Sequence, residues 1–240
     1  MKKLLILSFL LLPLSSQSKT VKKLIQYGVS ASGRPLIANI FYDSSVLQHG
    51  LIFISEGMHG NEYLGLVSGI TKNLLQDNSV FEAYIKAGGV VMTIPQINPD
   101  GVHFKSRFNI IGKDLNRDFH DKKKSEHRET QSLKLFLDKF LVHHNLKFQF
   151  AMDYHCCATA LLHPNEDSVN KDLYMSIANI SLKYLGKTYI MSSTKKVFGK
   201  FYKGTLKDYL FNKYRVPTMT YEAPDLGEDK KLTKHLNFRK

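Results

Sequence analysis

The chain has 240 residues, 43% of them hydrophobic and 23% charged, which gives one domain enough apolar material for a core and leaves no room for a multidomain machine. Fifteen glycines and seven prolines without a fixed period exclude collagen-like and low-complexity chains, and the two adjacent cysteines, Cys156 and Cys157, cannot staple distant segments together. The 34 Lys+Arg against 21 Asp+Glu, a net charge of +13, bear on partners and solubility and not on fold.

Residues 1–18 open with Lys2 and Lys3, continue as an apolar run from Leu4 to Leu14 and end in Ser15-Ser16-Gln17-Ser18. A basic start, a short leucine-rich stretch and small residues before a cut describe a secretory signal peptide, and 19–240 is expected to be one catalytic domain. The run falls short of the ~20 residues that span a bilayer, so no stable membrane insertion is expected once it is removed. Leu36 to Tyr42 and Leu51 to Ser55 have the character of strands, and a helix is expected from Asn61 to Gln76. Val90 to Ile94 is a third strand, closed by a turn at Asn98-Pro99-Asp100-Gly101. Leu133, Phe136, Leu137, Phe140 and Leu141 recur at helical spacing within Arg128 to His144. Phe148 to Tyr154 reads as strand, Val169 to Leu185 and Thr205 to Asn212 as helices, and Val216 to Tyr221 as a last strand. Strands alternating with helices predict an α/β domain with a mixed central sheet and helices on both faces. The scattered Lys122 to Lys124, Lys195-Lys196 and Lys230-Lys231 are solvated faces, and no nucleic-acid partner is expected.

Chemistry concentrates where the strands end, which is where open α/β sheets place their sites. His59 and Glu62, three apart at a strand-to-helix turn, can point a nitrogen and a carboxylate at one metal ion. His155, at the end of another strand, supplies a second imidazole. Two histidines and one glutamate leave the fourth vertex of a tetrahedral zinc open, as a catalytic site requires. Cys156 and Cys157 follow that histidine directly and admit two readings, a vicinal disulfide or two reduced, space-filling side chains.

The segments H-G-N-E at His59 to Glu62, N-P-D-G at Asn98 to Gly101, D-L-N-R-D-F at Asp114 to Phe119, D-Y-H at Asp153 to His155 and T-Y-E at Thr220 to Glu222 occur in one order. Together they resemble the zinc carboxypeptidase family, and the compact length is similar to its murein peptide amidases and cell-wall carboxypeptidases. The likeness runs from Tyr27 to Glu222. It implies one zinc per chain held by His59, Glu62 and His155, with Glu222 as general base and Arg107 stabilising the oxyanion. It implies that Asn116 and Arg117 grip the terminal carboxylate of the substrate and that Asp114 orients the first zinc histidine. Tyr202 is the candidate for the mobile tyrosine of the larger members. Leu206 and Lys207 are expected near the pocket for the terminal side chain, where the absence of an acid argues against a basic terminal residue. Asp153 supports the second histidine or is ordinary strand-end polarity. His103, His120, His143, His144 and His163 lack ligand spacing and are expected at the surface or in turns.

The resulting expectation is a secreted, periplasmic zinc metallocarboxypeptidase acting on peptides or murein peptides with a free carboxylate. A general peptide carboxypeptidase stands beside it. An acyl-amino-acid deacylase of the aspartoacylase and succinylglutamate desuccinylase type, which shares H-G-N-E and D-L-N-R, is the next enzyme reading. A pseudoenzyme that binds wall peptides is the non-enzymatic one.

Overall fold

The computed structural model describes residues 20–74, 76, 81–120, 124–158, 160–164, 170–185, 190–193 and 202–223. The segment read as a signal peptide, residues 1–18, lies outside them. The strands are β1 (Thr20–Val29), β2 (Pro35–Asp43), β3 (Gly50–Glu56), β4 (Gly89–Ile94), β5 (Lys147–Cys156), β6 (Ala160–His163), β7 (Ile190–Ser193) and β8 (Thr218–Ala223). Among the described residues they form one sheet in the order β1-β2-β4-β3-β5-β8-β6-β7. The middle of the sheet, β4, β3, β5 and β8, is parallel, whereas β1-β2, β2-β4 and β6-β8 are antiparallel. The sheet is therefore mixed, as the alternation of elements predicts.

The helices are α1 (Leu66–Asn73), α2 (Glu82–Lys86), α3 (Pro99–Phe104), α4 (Arg128–His143), α5 (Lys171–Leu185) and α6 (Leu206–Tyr214). Alternate residues of a strand face opposite sides, so each buried strand carries two apolar faces. On one side Ala38, Ile40, Leu51, Phe53 and Met92 pack against Leu133 and Leu137 of α4 and Tyr209 and Leu210 of α6. On the other, Phe41, Ile54 and Val91 pack on Val67 of α1 and Ile85 of α2, and Met219 and Leu161 pack on Tyr174 of α5. Helices thus cover both faces.

Two expectations are corrected. The helix placed at Asn61 to Gln76 is confined to α1, preceded by a one-turn 3-10 helix at Gly60–Glu62 and an extended Tyr63. Gly65, in the left-handed region, opens α1, because the loop before it is bent to aim Glu62. The N-P-D-G segment is the start of α3: Asn98 Oδ1 accepts from Gly101 N at 2.9 Å and Pro99 occupies the first helical position, where its missing N–H costs nothing. The strands β1, β6 and β7 and the short α2 were not anticipated. β1 is an edge strand whose exposed residues include Lys22, Lys23 and Leu24, and β6 and β7 are four residues each, too short to show a period.

Candidate active site

The parallel strands β3, β5 and β8 run in one direction, so their carboxyl ends share one edge of the sheet. Register pairs His155 of β5 with Glu222 of β8 and Tyr154 with Glu56 of β3. His59 and Glu62 follow β3 in the turn that ends in the 3-10 helix. That turn is pressed against the start of α3: a Cβ on Gly60 would lie 1.8 Å from the Gly101 carbonyl carbon, so only glycine fits. Gly60 N donates to Ser106 O at 2.8 Å.

At this edge the predicted metal triad comes together. Glu62 Oε2 lies 3.0 Å from His59 Nδ1 and 3.0 Å from His155 Nδ1, and one ligand atom from each residue falls within 4.8 Å of the others. Tetrahedral zinc with bonds of about 2.0–2.2 Å holds its donors roughly 3.3–3.5 Å apart, so two nitrogens and one oxygen at these separations suit it. The opposite ring nitrogens are also fixed. His59 Nε2 meets Asp114 Oδ1 at 3.0 Å, and His155 Nε2 meets Asp153 Oδ2 at 2.8 Å. A carboxylate behind each imidazole sets its tautomer and raises its basicity, as metal-bound histidines require. Asp114, expected to orient the first histidine, is in contact with it. Asp153, left between two readings, takes the supporting one, and Ser55 Oγ donates to its other oxygen at 2.7 Å.

These contacts set the electrostatics. Burial alone would raise the Glu62 carboxyl, but His155 and His59 hold it well below the ordinary carboxylate range. Burial likewise opposes the Asp114 anion, and His59, Arg107 and Arg117 outweigh it. The imidazolium of His155 is disfavoured by burial, yet Asp153, Glu62 and Glu222 bring its pKa well above the usual value. Glu222 is pushed up to about 7, first by burial and then by Glu62 and Asp153, against the pull of His155 and His59.

A cavity of about 350 Å³ opens over the triad, and its wall includes Arg107, Asn116, Arg117, Tyr202, Lys207 and Glu222. The wall thus brings together the expected ligands His59, Glu62 and His155 with Glu222, Arg107, Asn116, Arg117 and Tyr202, while Asp114 stands behind it on His59. Arg107 is tied down on the metal side: Nη1 donates to Glu62 Oε1 at 2.9 Å, and Nε and Nη2 donate to Asp114 Oδ2 at 3.2 and 3.0 Å. Asp114 also starts the 3-10 turn Leu115–Arg117 by accepting from Asn116 N at 2.9 Å, which presents Asn116 and Arg117 side by side. Asn116 Oδ1 accepts from Leu206 N at 2.9 Å, so its amide nitrogen is the end with donors to give. The Arg117 guanidinium lies 4.2 Å from the centre of the Tyr202 ring. Gly204, at φ +74°, packs where a Cβ would stand 2.4 Å from Arg117 O. Cys156 and Cys157, paired with each other, form part of the wall.

Leu206 departs from its expected place, because it is buried in the core and is not on the cavity wall, whereas Lys207 is. His163 is half-buried and stacks on Tyr174 with ring centres 5.5 Å apart. One residue escaped the sequence reading altogether. Glu56, 1% exposed, accepts from Leu64 N and Val67 N at 2.8 Å each and so locks the loop that carries Glu62. Burial raises its carboxyl and the backbone donors oppose the rise. Its position one residue past Ser55 in S-E-G-M-H-G-N-E was its only signal.

A model of the succinylglutamate desuccinylase/aspartoacylase catalytic domain matches residues 50–228. The chain belongs to that family. Among solved structures, thrombin-activatable fibrinolysis inhibitor is similar with a TM-score of 0.71 and 15% identity over 85% of this chain and 61% of that one. Carboxypeptidase A from Helicoverpa armigera gives 0.68 and 18% over 85% and 60%. The chain thus spans about three fifths of the length of these two. The murein-tripeptide amidase MpaA from Escherichia coli O157 gives 0.58 and 19% over 89% of this chain and 88% of that one. The fold is that of the zinc carboxypeptidases, and a family member with this fold and a His/Glu/His cluster is of a hydrolase type. No curated protein matches the chain. No described helix is long and apolar enough to cross a membrane.

Proposed function

We propose that the protein is an exported, zinc-dependent hydrolase that cuts the amide bond joining an amino acid with a free carboxylate to the rest of a peptide, and that its substrates are bacterial cell-wall peptides. The convergence of His59, Glu62 and His155 beside Glu222, in one cavity with Arg117, carries this reading. A divalent ion on that triad would acidify water and polarise a carbonyl oxygen. Glu222, with its carboxyl facing the same cavity, takes the proton of the attacking water and hands it to the leaving amine. Arg107, held in a fixed pose by Glu62 and Asp114, puts positive charge where the carbonyl oxygen becomes negative. Arg117 and the amide nitrogen of Asn116 grip the substrate carboxylate, and the rigid guanidinium fork favours a planar anion. The signal-like residues 1–18 support export, and the coverage of nearly all of the murein-tripeptide amidase supports a wall peptide.

A second reading, removal of an acyl group from an amino acid, is favoured by the family match itself. Both readings use the same groups and differ in what lies on the acyl side. Metal-loaded protein incubated with free-acid peptides, their amidated counterparts, purified wall peptides and N-acyl amino acids, with products read by mass spectrometry, separates them. Release of an amino acid from free-acid peptides and from the wall peptides, and not from their amidated counterparts or from N-acyl amino acids, is the expected result. Turnover of acyl amino acids without peptide cleavage establishes the second reading, and equal cleavage of amidated ends removes the role given to Arg117.

A further inference from the structure

The segment between α3 and the 3-10 turn at Leu115–Arg117 carries apolar side chains that the described chain leaves in water. Phe104, Phe108, Ile110 and Ile111 are between 44% and 57% exposed, and none of them belongs to the hydrophobic clusters of the described residues. Their backbone is nevertheless fixed. Ser106 N donates to Gly101 O at 2.8 Å and Ser106 O accepts from Gly60 N at 2.8 Å, so the segment is folded back on the start of α3. Beyond it, Asn109 and Lys113 close a tight turn. Asn109 N donates to Lys113 O at 3.0 Å, Lys113 N donates to Asn109 Oδ1 at 2.9 Å, and Gly112 N donates to Asn109 O at 3.0 Å. A Cβ on Gly112, at φ +75°, would meet nothing within 4 Å, so Ile110 and Ile111 ride on a turn that projects from the domain.

Exposed apolar side chains gathered on one loop mark a contact surface, and the charges among them say with what. Lys105 and Lys113 flank them and are exposed, and no Asp or Glu occurs from Gly101 to Lys113. The acids that border the segment are already engaged: Asp100 is buried under Ser30 and Arg34, and Asp114 is held by His59 and Arg107. The surface is therefore apolar and positive. A second copy of the chain would set one net charge of +13 against another. A stable protein partner buries roughly 800 Å² on each side, about 20–30 residues, and four side chains on one projecting loop fall far short of that. An anionic bilayer fits both features, because apolar tips leave water among the acyl chains while lysine ammoniums stay at the level of the phosphates.

We propose that the loop from Phe104 to Lys113 docks the protein reversibly on an anionic lipid surface, with Ile110 and Ile111 entering the edge of the acyl layer and Lys105 and Lys113 on the lipid phosphates. Arg107 of the cavity wall lies between Phe104 and Phe108 in the chain, so docking holds the cavity beside that surface. The contact is peripheral and needs no spanning helix. The inference goes beyond the reaction and does not depend on it.

The chain contains no tryptophan, so Ile111→Trp places a single fluorescent reporter at the tip, and its signal is local whatever residues 1–18 do. Emission is read with vesicles of phosphatidylcholine alone and of phosphatidylcholine with phosphatidylglycerol, each with and without bromines on the acyl chains. Val142→Trp, 82% exposed at the far end of α4, serves as the control reporter. The expected result is a blue shift and bromine quenching of Ile111→Trp on the anionic vesicles, little of either on phosphatidylcholine alone, and neither change in Val142→Trp. Replacing both lysines in the reporter chain, Lys105→Glu with Lys113→Glu, should lower vesicle affinity about tenfold or more with an unchanged thermal melt, and Phe108→Ser should lower it as well. Ile110→Trp takes the place of Ile111→Trp if that chain melts early. No shift on either vesicle, equal shifts on both, or equal quenching of the tip and control reporters overturns the proposal. A shift that grows with protein concentration in the absence of lipid, with a dimer in sedimentation velocity, also overturns it and makes a second copy the occupant.

Discussion

Glu222 sits on β8 with its carboxyl pushed up to about 7, because burial disfavours the anion and Glu62 and Asp153 add repulsion. A general base must be ionised, so turnover falls as pH drops through that pKa, and a dication on the triad moves the fall to lower pH. We therefore expect the acid limb of kcat/KM at or below about 7, and Glu222→Gln to lower kcat by about 10²–10⁴-fold with zinc content unchanged by atomic absorption. Loss of zinc in Glu222→Gln would instead make it a ligand. His155 titrates in the other direction. Against the effect of burial, its pKa is raised by Asp153, Glu62 and Glu222 when no metal is bound, so a metal and a proton compete for the imidazole. Zinc titrations in buffers of different ionisation enthalpy should show proton release on binding, and affinity should rise with pH. A buffer-independent heat would contradict this. The ligands were legible in the sequence because metal chemistry names its residue types. Glu56 was less so, since what it does depends on backbone groups that only the fold supplies.

At the scale of elements, the site is a set of turns held against strand ends. The helix at 61–76 was misread because apolar spacing after Glu62 was extended back through a loop that three features bend away from helix: the 3-10 turn, Tyr63 and the left-handed Gly65. The buried strands β3, β4 and β5 were legible from their apolar residues, whereas β6 and β7 owe their place to pairing with β8 and with each other. The N-P-D-G turn was located but not recognised as a helix cap, because Asn and Pro signal both. Gly60 shows what this packing demands. A methyl group there would meet the backbone of Gly101 at 1.8 Å, and backbone cannot rotate away as a side-chain tip can. Gly60→Ala should displace the turn from α3, cost about 1–3 kcal/mol in urea unfolding and weaken zinc binding by moving His59. Full zinc affinity in a destabilised Gly60→Ala would show that the turn and the ligand move independently.

Across the whole molecule, the triad joins parts of the chain that are far apart in sequence. His59 and Glu62 hang from β3, His155 ends β5, and Asp114 reaches in from the segment between α3 and α4. Glu62 lies between the two imidazoles and pairs with Arg107. A ligand that binds only the folded state stabilises it by mass action, about 4 kcal/mol at a thousand times its Kd. For a domain of this size that corresponds to a rise in Tm of roughly 8–16 °C. Calorimetric scans with zinc in excess and with chelator should differ by that amount. Glu222→Gln should keep the difference, because its carboxylate is assigned to proton transfer and not to the metal, while Glu62→Gln should lose it. The helices on both faces pack on the same sheet, so the zinc-dependent shift should appear in one transition and not as a separate melting of the cavity rim. Identical scans with and without zinc would mean that the three side chains do not bind it, and the catalytic reading built on them would fall with that result.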